Sequence, residues 1–80
     1  MTAIHVTYFA ALRDVTGFAE EILKTEARTA KALFHELAAK YRWPLSETDI
    51  RFAINDRYQS PDTILKEGDK IVFIPPVAGG

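Results

Sequence analysis

No cysteine occurs among the 80 residues. That excludes a disulfide framework, a thiolate metal site and a cysteine nucleophile together, and it fits the reducing cytoplasm as the expected location. Charge of one sign is also missing. Ten Lys and Arg against eleven Asp and Glu leave a formal net charge of −1, with no basic run, so neither nucleic acid nor an anionic membrane is an expected partner. No apolar stretch approaches the ~20 residues that cross a bilayer, and Met1-Thr2-Ala3 leads into a strand, not a signal peptide. Histidine is scarce: His5 and His35 stand alone, in no carboxylate–histidine pattern that would hold a metal. Both are expected to be structural or solvated.

What remains is a chain with 48% hydrophobic residues, enough to argue against disorder. At this length one domain spanning residues 1–80 is expected, near the lower limit for a self-sufficient core. Ile4-His5-Val6-Thr7-Tyr8-Phe9 alternates as a first strand, with Ile4, Val6 and Tyr8 toward the core and Phe9 on the opposite side with His5 and Thr7. Ala10 to Val15 is helix-forming, and Gly17 is placed to end it. A second strand over 19–26 returns as a hairpin, its inward face unclear from the pattern. Thr29 is a suitable N-cap, after which Ala30, Leu33, Phe34, Leu37, Ala38 and Tyr41 form one apolar stripe at helical spacing. Pro44 ends any continuation, and Trp43 is expected as a lid on the core edge.

Ile50, Phe52 and Ile54 mark one face of a third strand, and Asn55-Asp56 signals a turn into a brief return strand at Tyr58. Ser60-Pro61-Asp62-Thr63 turns again. Leu65-Lys66-Glu67-Gly68-Asp69-Lys70 reads as a tight turn with Gly68 at positive φ, feeding a last strand, Ile71-Val72-Phe73-Ile74. One helix across a mixed sheet is an α+β arrangement. A last strand parallel to the first at the centre makes it a β-grasp, with no second helix to cover the other side of the sheet. Phe9, Val72 and Ile74 on that uncovered side form an expected partner surface.

The ending, Pro75-Pro76-Val77-Ala78-Gly79-Gly80, carries the functional reading. Two prolines stop the strand because neither donates a ladder hydrogen bond and both fix φ near −65°. The tail is expected to leave the sheet stiff and extended, finishing in two residues without side chains. Such an end can thread a free carboxylate into a slot where a Cβ would clash. A frayed end is the plainer explanation for terminal glycines, but fraying needs no stiff spacer.

These pieces resemble the small subunits of molybdopterin synthase, a family of ubiquitin-like sulfur carriers. The matching segments are Val6-Thr7-Tyr8-Phe9-Ala10-Ala11-Leu12-Arg13, the helix over 29–37, Phe52-Ala53-Ile54-Asn55, and Leu65-Lys66-Glu67-Gly68-Asp69. The most specific is the close, Val72-Phe73-Ile74-Pro75-Pro76-Val77-Ala78-Gly79-Gly80. Gly-Gly alone is shared by every ubiquitin-like carrier, whereas Phe-x-Pro-Pro-Val-x-Gly-Gly after Gly-Asp-x-(apolar) is specific. Ile74 stands where many relatives carry an aromatic.

The resemblance implies a ubiquitin-like β-grasp fold and the following chemistry. An adenylating enzyme related to ubiquitin-activating enzymes uses ATP to adenylate the Gly80 carboxylate, and a sulfur donor protein converts it to a thiocarboxylate. The tail then docks into the large synthase subunit and gives sulfur to a precursor pterin, building the dithiolene of the molybdenum cofactor. The assembly implied is a heterotetramer with a small subunit at each end. Phe9, Arg13, Val72, Ile74, Pro75, Pro76, Val77 and Gly79 are the expected partner-binding residues, and Gly80 is the reacting one. Arg13 is open between an acidic partner contact and a solvated helix position. No metal and no cofactor is expected on this chain, ATP being used by the activating enzyme. Without cysteine, sulfur has no side chain here to ride on, so the terminus is the candidate. Three alternatives share parts of this pattern: a carrier for thiamin thiazole synthesis, whose chains tend to be shorter and lack Pro-Pro-Val; a modifier conjugated to lysines through Gly80; and an interaction domain with an inert tail.

Overall fold

The structure is a computed structural model that describes residues 1–75. Alternation over Thr2–Tyr8 makes β1, with Ile4, Val6 and Tyr8 buried on one side. Helix α1, Ala10–Thr16, follows at once and is closed by Gly17, whose φ of 91° lets its N–H reach the Arg13 carbonyl. β2, Glu20–Thr25, returns antiparallel to β1. Helix α2, Ala30–Tyr41, starts where the Thr29 hydroxyl accepts the Ala32 N–H at 3.1 Å. It stops short of Pro44, at Arg42 in the left-handed region (φ 55°), so the backbone turns before proline is reached.

A short 3₁₀ turn, Glu47–Asp49, precedes β3, Arg51–Ile54, and was not foreseen from the pattern. Its signal was Ser46 three residues before Asp49, whose carboxylate accepts the Ser46 N–H at 3.2 Å. Asn55 and Asp56, at φ 52° and 71°, form the two-residue turn into β4, Arg57–Gln59. The Asn55 side chain also bonds the Lys70 N–H (3.0 Å) and the Asp69 carboxylate (2.9 Å), tying that turn to the start of β5, Lys70–Ile74. Gly68 sits at φ 85°, as the turn before β5 requires.

The sheet order is β2-β1-β5-β3-β4, with β5 parallel to β1 at the centre and the other pairings antiparallel. This is the expected β-grasp. Ile4, Val6, Tyr8, Ile71 and Phe73 are fully buried, in one cluster with Leu33, Phe34 and Leu37 of α2. Each such side chain contributes about 1.5–3 kcal/mol on leaving water. Phe34 is the hub of the contact, with ring centroids 5.8 Å from Phe73 and 6.0 Å from Phe52. Trp43 is buried at the edge, 5.6 Å from Phe34 and stacked on Tyr41, which is the lid expected.

The face of β2 toward the helix was illegible because it carries a charge. Glu21 lies on it and accepts hydrogen bonds from the Tyr8 and Tyr41 hydroxyls at 2.5 and 2.8 Å. Burial, then this carboxylate, push the Tyr8 phenol far above its ordinary value, and Tyr41 moves the same way for the same reasons. The neutral phenols therefore favour the fold. In the unfolded chain tyrosine ionises near pH ~10, so the folded state holds more protons above that pH and stability falls as pH rises further. Urea midpoints are expected to be level up to about pH 9.5 and to drop above pH ~10, with a shallower drop in Tyr8→Phe. An equal drop in that variant would assign the alkaline loss to other groups.

Candidate functional site

The last strand organises the site. Its side chains alternate: Ile71 and Phe73 go into the core, while Val72 and Ile74 stand half-buried on the uncovered face. Register places Val72 beside Thr7 of β1 and Ala53 of β3, and Ile74 beside Arg51. Ala53 is in turn opposite Tyr58 of β4, so a row Thr7–Val72–Ala53–Tyr58 crosses the sheet on this side.

Phe9 lies outside the first strand, which ends at Tyr8. The reason is local: the Phe9 carbonyl accepts the Leu12 and Arg13 N–H groups and opens α1. Its own backbone stays extended (φ −119°, ψ 151°), so the strand's alternation carries one residue further. One step past the Tyr8–Phe73 pair, Phe9 falls alongside Ile74, and it is 48% exposed. Arg13 follows one helical turn later on α1, exposed and forming no ion pair among the described residues. Pro75 is buried where the chain leaves the sheet. Thus Phe9, Val72 and Ile74 share the uncovered side at one end of β5, and Pro75 follows in the buried alternation of Ile71 and Phe73. Pro76, Val77, Gly79 and Gly80 lie outside the described residues.

Sequence reasoning missed part of this surface. Arg51 sits next to Ile74 across the β3–β5 ladder, its guanidinium 6.0 Å from the centre of the Tyr58 ring, and Tyr58 is 69% exposed. The signal was present: a two-residue turn at Asn55-Asp56 pairs Ile54 with Arg57 and so Ala53 with Tyr58. Tyr58 therefore shares the face of Val72. The result is an apolar strip bordered by Arg51, suited to a partner with an apolar ridge and an acidic rim. The described residues contain no group of three or more His, Asp or Glu arranged around a cation, and no described helix is long and apolar enough to cross a membrane.

Comparison with known proteins places this geometry. A molybdopterin synthase sulfur carrier subunit of Escherichia coli (strain K12) is 35% identical over 80 residues, covering 96% of this chain and 99% of that protein. A putative molybdopterin converting factor, subunit 1, from Pyrococcus furiosus has a similar structure, with a TM-score of 0.77 and 31% identity over 96% of this chain and 100% of that one. A chain of the protein–protein complex of subunits 1 and 2 of the molybdopterin-converting factor from Helicobacter pylori 26695 aligns with a TM-score of 0.68 and 28% identity, covering 99% of this chain and 100% of that chain. The ThiS family model matches residues 6–80, a stretch that takes in the end of β1, the β5 strand and the Gly-Gly ending, and the chain belongs to the ThiS family.

Proposed function

We propose that this chain is the sulfur-carrier subunit of a molybdopterin synthase. The observation that carries the reading is the placement of the β5 exit. A strand held by core packing on one side launches the Pro-Pro-Val-x-Gly-Gly ending directly from an open apolar strip. A docked partner can then grip Phe9, Val72 and Ile74 and receive the tail as one continuous element. The identity with the Escherichia coli carrier over nearly the full length of both chains supports the same assignment.

The chemistry follows from the terminus. A carboxylate is a poor electrophile until it gains a leaving group. In the proposed first step a Gly80 carboxylate oxygen attacks the α-phosphorus of ATP on an adenylating enzyme, and pyrophosphate departs. In the second, the terminal sulfur of a donor-protein persulfide adds to the acyl-adenylate carbonyl and AMP leaves; a thiol then takes the donor's remaining sulfur as a disulfide, and the S–S bond breaks to leave a thiocarboxylate on Gly80. The thiocarboxylate then passes its sulfur to a precursor pterin in the large subunit. This chain supplies the open carbonyl and its delivery; the acids, bases and nucleotide site belong to its partners. Pro75 and Pro76 lower the cost of delivery. Ordering six tail residues at full backbone freedom costs on the order of 6–12 kcal/mol, and two prolines have already surrendered much of that freedom.

Intact mass after incubation with ATP, an adenylating enzyme and a sulfur source tests the reading. A gain equal to one oxygen exchanged for sulfur, localised to Gly80, is expected. No gain, with the enzyme active on another carrier, would replace it with the inert-tail domain. A lysine isopeptide at Gly80 in isolated material would replace it with the modifier.

Docking has its own test. Phe9→Asp is expected to weaken binding of the large subunit by at least tenfold, because it places an uncompensated carboxylate against an apolar contact. Folding should change by no more than about 0.5 kcal/mol, as for other exposed positions. Titration calorimetry and urea unfolding read the two effects separately, and unfolding of the variant would reassign Phe9 to the core.

A further inference from the structure

The edge of the sheet farthest from β3 is a second surface with a definite chemistry. Among the described residues β2 pairs only with β1, so its outer side is an open ladder. Which residues face outward follows from one bond. The Tyr8 N–H donates to the Ala19 carbonyl at 2.7 Å, continuing the register in which Thr7 faces Glu20 and Val6 faces Glu21. Opposed residues in an antiparallel ladder alternate between exchanging both bonds and exchanging none. Ala19, Glu21 and Leu23 therefore bond inward to β1, while Glu20, Ile22 and Lys24 aim their N–H and C=O groups away from the sheet.

The same three residues carry their side chains on the uncovered face, opposite Thr7, His5 and Ala3. Ile22 is 76% exposed, an apolar side chain at the centre of an edge strand. Glu20 and Lys24 flank it at equal spacing with opposite charges. Edge strands are ordinarily blunted by charge that repels a like neighbour. Here the pattern is self-complementary. A twofold axis at Ile22 sets Ile22 against Ile22 of a second copy, and Glu20 of each chain against Lys24 of the other.

We propose that β2 is a homodimerisation edge, joining two copies of this chain antiparallel through Glu20, Ile22 and Lys24. Three bonded pairs give six backbone hydrogen bonds, one apolar contact and two Glu–Lys pairs across the ladder. Glu20 also has a neighbour within its own chain, with His5 Nε2 at 3.6 Å from its carboxylate, so the carboxylate bridges His5 and the incoming lysine. The contact is small and the dimer reversible. The opposite edge offers no equivalent, since Arg57, Tyr58 and Gln59 of β4 place no opposite charges about an apolar centre. β1 separates β2 from β5, so the pairing leaves the Phe9–Ile74 strip and the β5 exit clear. A carrier could thus be held as a pair without covering the end that reacts.

Sedimentation equilibrium of the full chain from micromolar to millimolar concentration tests this, with a mass rising toward twice the monomer expected. Lys24→Glu sets like charges opposite each other at both symmetric positions and is expected to weaken the dimer about tenfold or more. Adding Glu20→Lys to it exchanges the charges and is expected to restore association. Ile22→Pro removes an outward N–H without touching the β1 ladder, and is expected to keep the parent's circular dichroism while remaining monomeric. Monomer at every concentration in the parent overturns the proposal. So does a dimer indifferent to Lys24→Glu, or one that the charge exchange fails to restore. Should Ile22→Pro not fold, the two charge variants decide alone.

Discussion

One residue added after Gly80 is expected to abolish sulfur transfer while leaving the urea midpoint of the chain unchanged. The reasoning starts from the reaction centre. In the proposed route ATP activates a carboxylate oxygen of Gly80 and sulfur then attacks the carbonyl carbon of the same group, so the reacting group is the carboxylate of Gly80. An added residue moves the terminal carboxylate about 3.3–3.6 Å along the tail and replaces the Gly80 carboxylate with an amide, which cannot be adenylated. Gly79→Val acts differently on the same path. It leaves the carboxylate in place but adds a β-branched side chain that the proposed threading into a narrow partner slot would not admit, and it restricts φ and ψ at that position. Both variants are expected to reduce thiocarboxylate formation below detection in intact mass. Neither touches the buried cluster. Full transfer from either would overturn the threading argument and leave the Gly-Gly ending as a loose terminus.

Much of this molecule is legible in its sequence, and the exceptions share a cause. β1, α2 and β5 announce themselves because each meets the core on one side, so period 2 or period 3.6 appears directly in the letters. Gly17 and Gly68 could be placed because the turns there demand positive φ, which both adopt. β2 was ambiguous because Glu21 occupies an inward position, satisfied by hydroxyls from Tyr8 on the neighbouring strand and Tyr41 on α2. No local pattern reveals partners 13 and 20 residues away. The 3₁₀ turn at Glu47–Asp49 was missed since three residues are too few to show a period. For the site, Phe9, Val72 and Ile74 were placed on the uncovered face by alternation alone. Arg51 and Tyr58 joined them only through the β3–β4 and β3–β5 registers, which are tertiary facts.

Truncating Phe34 to alanine is expected to be the most damaging single substitution in the described part of the fold. Its ring meets Trp43, Phe52 and Phe73 at centroid distances of 5.6, 6.0 and 5.8 Å, so it joins α2 to β3 and β5 and to the segment after the helix at one point. Removing a buried Phe costs about 3–5 kcal/mol through lost transfer energy and the cavity left behind. A domain of this length has only about 4–12 kcal/mol in total. Phe34→Ala should therefore lose most of its stability margin, seen as a large drop in urea midpoint. The effect on function is indirect and has a signature. Phe73 lies against Phe34 on the core side of β5, and Val72 and Ile74 of the same strand face outward. Loosening the inner contact unfolds the strand that presents the tail, yet the terminal carbonyl is chemically unaltered. Thiocarboxylate yield at low temperature should track the folded fraction measured by circular dichroism. A loss below about 1 kcal/mol, well under the usual range for a buried Phe, would show that α2 is not what holds β5 in place. The anchoring of the β5 exit would then rest on β1 and β3 alone.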